Sequence, residues 1–143
     1  MHLLRSDFIN TWLLANFDIV FISETHLTKG QLYELKNFAA VHNPYSTVDD
    51  VKPRGGISCF IQVNFLKYVK RTDITVSENI IVNLKNGDVL FGSYVPPSDS
   101  PYHQITDMCD VANMFVPKDQ DRIVLGGGDL NERVGNIKMN MPL

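Results

Sequence analysis

The chain has 143 residues, 44% of them hydrophobic, which suits one globular domain with a buried core and excludes a largely disordered chain. Its net charge of −3 gives no overall positive field that would favour a polyanion. A nucleic-acid partner stays open, because a bound metal ion can bring a phosphate into an acidic pocket. The apolar runs are too short for a signal peptide or a membrane span, so we expect an intracellular chain, nuclear if it acts on DNA.

The N-terminal third predicts a helix, a strand and a second helix. Large apolar residues recur every four positions from Leu3 to Ala15, which predicts a helix. The β-branched and aromatic run from Asp18 to Ile22 predicts a strand buried on both faces. Leu32, Leu35 and Phe38 recur every three positions, which predicts a second, shorter helix.

A loop and a group of antiparallel strands follow. The polar stretch from Asn43 to Gly56 predicts a loop, and the apolar run from Ile57 to Val63 predicts a strand. Asn86-Gly87 is a signal for a two-residue hairpin turn, so the strands around it should be antiparallel. Further strands are predicted at residues 68–74, 80–84 and 89–94.

The C-terminal part predicts a helix and a last strand. Ser100-Pro101 has the pattern of a helix start, and Pro117 ends that helix. The run from Arg122 to Leu125 predicts a buried strand, which breaks into glycines 126–128 and Asp129. The order of elements predicts a single α/β domain with a mixed sheet rather than a doubly wound nucleotide fold. The two cysteines, Cys59 and Cys109, are expected to be buried free thiols.

Two strands of similar design each lead into a carboxylate, the first into Glu24 and the last into Asp129. Ligand sites form at the carboxyl ends of strands in α/β sheets, and two acids there could hold a hard cation such as Mg²⁺. Two structural alternatives stay open at this point: Glu24 could cap the following helix, and Asp129 could lie in a Gly-rich turn.

Four short motifs occur in order along the chain: Glu24-Thr25-His26-Leu27, Arg54-Gly55-Gly56-Ile57, Tyr94-Val95-Pro96-Pro97 and Gly128-Asp129-Leu130-Asn131. Together they resemble the endonuclease/exonuclease/phosphatase superfamily. The first and third motifs look most like the DNA-nicking endonucleases of LINE-type retrotransposons, with the apurinic-site endonucleases next nearest. The resemblance implies a DNase I-like four-layer α/β sandwich with mixed, largely antiparallel sheets.

The resemblance also implies roles for individual residues. Glu24 matches the metal-binding glutamate, and Asp129 matches the aspartate that activates or orients the attacking water. Asn131 and Tyr94 match the residues that contact the scissile phosphate, where an amide or phenol donor can stabilise charge on phosphoryl oxygens. The implied activity is hydrolysis of DNA phosphodiester bonds with Mg²⁺, or with Mn²⁺ in its place, and the implied partner is the DNA backbone. His26 matches only a variable position, so we expect a loop residue there.

The chain departs from the family at both ends. The family's first strand has no counterpart before the predicted first helix, and the closing Ser-Asp-His segment has none after Asn131. Gly126 stands where the family has a hydrophobic residue, which adds backbone freedom beside Asp129. We therefore expect one partial domain over residues 1–143. Three functions stay open: a fragment of a DNA endonuclease, an inactive remnant or interaction module, and a phosphoesterase with a substrate other than DNA.

Overall fold

The computed structural model describes residues 14–31, 33–45, 52–75, 78–95 and 122–129, and within these ranges the chain is mostly β-sheet. A short helical turn covers Leu14–Asn16, and a 3₁₀ helix covers Val63–Tyr68. The strands are β1 (Ile19–Ser23), β2 (Phe38–Asn43), β3 (Ile57–Gln62), β4 (Val69–Ile74), β5 (Asn79–Leu84), β6 (Val89–Tyr94) and β7 (Val124–Asp129).

These strands form two sheets. The first sheet has the order β1-β3-β2 and is antiparallel throughout. The second has the order β4-β5-β6-β7, with antiparallel pairing up to β6 and parallel pairing between β6 and β7. The prediction of mixed, largely antiparallel sheets is confirmed at this level. The predicted helices that would flank the sheets, before residue 14 and after Ser100-Pro101, lie outside the described residues.

The main core lies between the two sheets. Side chains of β3, among them Ile57, Cys59 and Ile61, pack against Ile80 and Val82 of β5. Full burial of one such aliphatic side chain contributes about 1.5–3 kcal/mol. Cys59 is a free thiol with no exposed surface, and burial raises its pKa to about 12, so it stays protonated and inert.

Both sheets also carry apolar side chains on their outer faces. Val20, Ile22 and Phe60 form a cluster on the outer side of the first sheet, while Ile81 and Phe91 belong to another on the second. The prediction that the first strand is packed on both faces is confirmed, because Ile19 and Phe21 of β1 contact the core between the sheets. A sheet that is apolar on both faces has to be covered on both.

The segment between β1 and β2 corrects the sequence-based prediction. The helix expected from the spacing of Leu32, Leu35 and Phe38 is absent from the described residues, since Leu35 lies in irregular backbone and Phe38 begins β2. Gly30 and Asn37 have φ angles of 91° and 68°, which a right-handed helix cannot include. Leu35 and Phe38 instead cover the outer face of the first sheet. Their spacing therefore reflects contact with the sheet rather than a helical period.

The hairpin between β5 and β6 has a three-residue turn, one residue longer than predicted. The Gly87 N–H donates to the Leu84 carbonyl over 3.0 Å, and the Leu84 N–H donates to the Asp88 carbonyl over 2.9 Å. Gly87 has a φ of 96°, so a β-turn is followed by one left-handed glycine. The antiparallel pairing is as predicted, but the register differs by one residue from that of a two-residue turn.

Strand β7 also differs from its prediction, because it continues through the three glycines to Asp129. The strand is not buried among the described residues, where 64% of Leu125 is exposed. Gly126 has a packing role that the sequence did not reveal, since the ring of Phe91 occupies the space that a Cβ would need. Gly127 has no atom within 4 Å of an added Cβ. Gly126 is thus required by the packing of Phe91 and is not merely a source of backbone freedom.

These two neighbouring glycines give a matched test of the packing. We expect Gly126→Ala to lower the free energy of unfolding by about 1–3 kcal/mol, because the ring of Phe91 has to move. Gly127→Ala should stay within about 0.5 kcal/mol of the wild type. Urea denaturation followed by circular dichroism measures both, and equal stability of the two variants would contradict the packing of Phe91 on Gly126.

Candidate active site

Three residues that the sequence singled out lie at one end of the two sheets. Glu24 directly follows β1, while Tyr94 and Asp129 are the last residues of β6 and β7. Tyr94 and Asp129 are register partners, so their side chains share one face of the second sheet. That face is the inner one, because Gly92, two residues before Tyr94, lies against the ring of Phe21 in β1. We call the end of the two sheets that carries Glu24, Tyr94 and Asp129 the site end. Asn131, the other predicted site residue, lies outside the described residues.

The Tyr94 side chain bridges the two sheets. Its hydroxyl donates a hydrogen bond of 3.1 Å to Glu24 Oε1. Only 8% of Tyr94 is exposed, whereas Glu24 and Asp129 are open to solvent. Burial raises the pKa of Tyr94 to about 12, helped by the hydrogen bond to Glu24 and by the negative charges of Glu24, Glu78 and Asp129. The hydroxyl is therefore a hydrogen-bond donor throughout the neutral range.

Glu78 is a fourth member of the site, and the sequence reasoning missed it. Its carbonyl accepts the Tyr94 N–H over 3.0 Å, so it flanks Tyr94 on the side opposite Asp129. Its carboxylate is buried, with 6% of the residue exposed, and accepts a hydrogen bond from the Gly56 N–H. Burial raises the pKa of Glu78, the Gly56 hydrogen bond opposes that shift, and the charge of Glu24 adds to it. The sequence signal that could have pointed to Glu78 is the position of an acid immediately before the apolar run of β5.

The Arg54-Gly55-Gly56 segment supports the loop that carries Glu24. The N–H groups of Thr25 and His26 donate to the carbonyls of Gly56 and Gly55 over 3.3 and 2.9 Å. Gly56 has a φ of 87°, and a Cβ there would lie 2.8 Å from Thr25 Oγ1. A glycine is therefore required at this close approach, and the prediction that a strand begins at Ile57, directly after Gly56, is confirmed.

The backbone of this loop is strained at Glu24 itself. Glu24 and His26 have φ angles of 52° and 56°, a left-handed conformation that side chains other than Asn, Asp and His rarely adopt. The hydrogen bonds to Gly55 and Gly56 hold this conformation, and such strain is typical of functional sites. Residues 24–27 form no helix, so the alternative of Glu24 as a helix cap is wrong. His26 is an exposed loop residue, as predicted.

A buried polar network holds the strand ends next to the site. The Asn43 side-chain amide donates to the carbonyls of Asn79 and Thr75 over 2.9 and 3.0 Å. Asn79 in turn accepts a hydrogen bond from the Ser93 hydroxyl. These residues end β2, begin β5 and precede Tyr94, so the network joins the two sheets beside Glu78. Satisfied buried networks of this kind rigidify the groups around them.

The donor set at the site end suits a hard cation. It offers carboxylate oxygens, the ligands that Mg²⁺ and Mn²⁺ prefer, and Mg²⁺ is commonly held by one or two carboxylates together with water. One Glu24 oxygen accepts the Tyr94 hydrogen bond, which leaves the other for a cation. In the described part of the chain, no group of three acidic, histidine or cysteine side chains is close enough to enclose a metal ion. Glu24 and Asp129 are both exposed and could take that role, whereas Glu78 is buried.

His42 also has partners that the sequence did not indicate. Its ring bonds the Ser58 hydroxyl at 2.7 Å and the Tyr33 carbonyl at 3.0 Å. Ser58 has no exposed surface, and the His42 ring lies edge-on to Phe60 with ring centres 5.9 Å apart. His42 and Ser58 therefore hold residue 33 on the first sheet.

Among the described residues, no helix is long and apolar enough to cross a membrane.

Comparison with known proteins found no match to this chain among protein-family models, curated proteins or solved structures.

The buried carboxylate of Glu78 gives a pH-dependent prediction. Its native pKa is raised above the usual 4.5, so its contribution to stability is fully present below pH 4.5 and is lost as the pH rises through the native pKa. Glu78→Gln keeps a carbonyl acceptor for Gly56 but cannot ionise. We expect the free energy of unfolding of the wild type, relative to this variant, to fall as the pH rises from about 4.5 through the native pKa of Glu78.

Urea denaturation across that pH range measures the difference. Glu34→Gln, a substitution at an exposed glutamate, is the matched control and should follow the wild type. A constant difference between wild type and Glu78→Gln at every pH would contradict the assignment of a buried, charge-destabilised carboxyl.

Proposed function

We propose that this chain carries part of the active site of a divalent-cation-dependent phosphodiesterase of the endonuclease/exonuclease/phosphatase type, with DNA as its substrate. The observation that carries the proposal is the hydrogen bond from Tyr94 of the second sheet to Glu24 of the first, with Asp129 beside Tyr94. A proton donor, a solvent-exposed acid and a second acid thus meet at the ends of three strands.

The arrangement of the two sheets supports the more specific fold that the proposal implies, a DNase I-like sandwich. Two facing sheets with apolar outer faces are expected in a four-layer α/β sandwich, where helices cover both outer sides. The structural alternative for Asp129, a position in a Gly-rich turn, is wrong, because Asp129 is the last paired residue of β7. We therefore favour the DNase I-like sandwich as the complete architecture.

The chemistry follows from the type and position of each group. Glu24 would hold Mg²⁺ or Mn²⁺, which supplies positive charge to a bound phosphate and polarises its oxygens. Asp129 is exposed and ionisable, so it can accept a hydrogen bond from water and orient it. With a cation held by Glu24, the Tyr94 hydroxyl would donate its hydrogen bond to a phosphoryl oxygen instead of to Glu24. Its raised pKa keeps the proton that this hydrogen bond needs.

DNA is the preferred substrate because of the motif at the end of β6. Tyr94-Val95-Pro96-Pro97 resembles the nucleic-acid branch of the superfamily, and Asn131 remains the predicted second phosphate contact. The site end concentrates acidic charge, so a phosphate backbone would approach it only with a cation present. The activity should accordingly be strictly metal-dependent.

Nicking of supercoiled plasmid by the full chain tests the proposal. Because the chain carries only part of the active site, we expect Mg²⁺ or Mn²⁺ to support slow conversion to the open circle, and EDTA to stop it. Asp129→Asn should lower the rate by about 10²–10⁴-fold, since it removes the water-orienting carboxylate. Tyr94→Phe should lower it by about 10²-fold, since it removes one donor to the phosphate. Glu24→Gln should weaken Mn²⁺ binding, measured by electron paramagnetic resonance.

Matched controls separate these effects from general changes of charge. Asp18→Asn and Glu34→Gln change exposed acids away from the site end and should nick at the wild-type rate. Full activity of Asp129→Asn would overturn the role of that residue. Cleavage of bis(p-nitrophenyl) phosphate without plasmid nicking would replace DNA by another phosphoester, and Mn²⁺ binding without any cleavage would point to an inactive remnant.

A further inference from the structure

A basic groove lies at the end of the second sheet opposite Tyr94 and Asp129. It has a volume of about 370 Å³, and the described residues that line it include four basic ones and no acidic one. Strand β6 separates it from Tyr94 by six residues, which corresponds to ~20 Å along the strand. The groove is therefore distinct from the site end. Its charged and amide side chains are Lys70, Arg71, Lys85, Arg122, Asn83 and Asn86.

Local backbone features bring these cations together. The pairing of β4 with β5 shifts register between Val69 and Arg71, and Lys70 is the extra residue in this bulge. Lys85 lies in the β5–β6 turn, where its N–H donates to the Tyr68 carbonyl over 2.8 Å. Arg122 lies against Gly87 of the same turn, with its Nε 3.1 Å from the position of an added Cβ. The groove is thus built by a bulge and a turn.

Basic side chains outnumber acidic ones among the described residues in and beside the groove. Arg71 forms an ion pair of 3.0 Å with Asp73, which also accepts a hydrogen bond from Asn83. Asp88 is a second acid near the groove in the described part of the chain, and it accepts a hydrogen bond from the Asn86 side chain over 2.9 Å. Among the described residues in and beside the groove, four cations stand against two carboxylates, in a chain of net charge −3. The groove therefore favours an anionic ligand.

An aromatic hollow of about 280 Å³ adjoins the groove and shares Leu84, Lys85 and Asn86 with it. Phe65 and Tyr68 line this hollow, with ring centres 5.2 Å apart, and 51% of Tyr68 is exposed. Lys67 Nζ lies 5.2 Å from the centre of the Tyr68 ring. An exposed aromatic ring beside several cations fits a ligand that has both a planar apolar group and a phosphate.

We propose that the groove and the aromatic hollow together bind single-stranded nucleic acid. A base would stack on Tyr68 and Phe65, and the adjacent phosphates would contact Lys70 and Lys85. An acidic peptide would satisfy the cations but would leave the aromatic hollow without a partner. The proposal does not rest on the phosphodiesterase activity, because this surface lies at the other end of the sheet and needs no metal ion.

Fluorescence anisotropy with a labelled oligothymidylate, in EDTA, tests the cations. We expect the double substitution Lys70→Ala/Lys85→Ala to weaken binding at least about tenfold and to reduce the salt slope by about 1.4, because two phosphate contacts are lost. The matched control is Lys29→Ala/Lys36→Ala, which removes the same charge from exposed positions in the segment between β1 and β2. It should bind as the wild type does. Equal loss in both double variants, or no binding by the wild type, overturns the proposal.

Substitution of Tyr68 tests the aromatic part. Tyr68→Ala should weaken oligothymidylate binding by about tenfold, while Tyr68→Phe should keep it, because stacking needs only the ring. Polyglutamate serves as the competing polyanion. Displacement of the oligonucleotide by polyglutamate at equal charge concentration would show a surface for acidic proteins and overturn the proposal. Unchanged binding by Tyr68→Ala would show that no base stacks on this ring and would also overturn it. Circular dichroism checks the fold of each variant, and Lys70→Gln/Lys85→Gln replaces any alanine pair that unfolds.

Discussion

The contact between Phe21 and Gly92 determines how closely the two sheets approach at the site end. A Cβ at Gly92 would lie only 2.6 Å from Phe21 Cγ, so any other residue would push the sheets apart. Phe21 is three residues before Glu24, and Gly92 is two residues before Tyr94. The hydrogen bond between the Glu24 and Tyr94 side chains crosses the same space between the sheets. It forms only over a narrow range of donor–acceptor distances. A packing constraint in the core thus sets the geometry of the polar groups at the surface.

The fold could be predicted where the apolar runs were short and rich in β-branched residues. Residues 57–62 and 79–84 are recognisable as strands because their runs are bounded by glycine, asparagine or serine. Prediction failed between β1 and β2, where Leu35 and Phe38 pack on a sheet from an irregular segment and a strand. Periodicity reports which residues face an apolar surface, and it does not distinguish a helix from a segment that returns to the same surface in another way. The left-handed backbone at Asn37 is the feature that rules out a helix here. An asparagine in the sequence is only a weak signal of that conformation.

The site was predictable in part for a similar reason. Glu24 directly follows β1, and Tyr94 and Asp129 end β6 and β7, so their common position follows from the strand order. Glu78 was missed because its place opposite Tyr94 depends on the length of the hairpin turn. A two-residue turn at Asn86-Gly87 would pair Tyr94 with Asn79 and direct Glu78 to the other face of the sheet. One additional turn residue, Lys85, therefore decides whether the third carboxyl belongs to the site.

The left-handed backbone at Glu24 implies a conflict between selection for stability and retention of the acid. At a φ of 52°, glycine or asparagine would relieve strain that costs of order 1–3 kcal/mol, so drift under selection for folding alone would move this position toward those residues. Glutamate is among the less suitable choices for such a backbone. Its presence means that the site end is locally frustrated, and a stabilised descendant of this chain would most readily gain stability by losing its carboxylate.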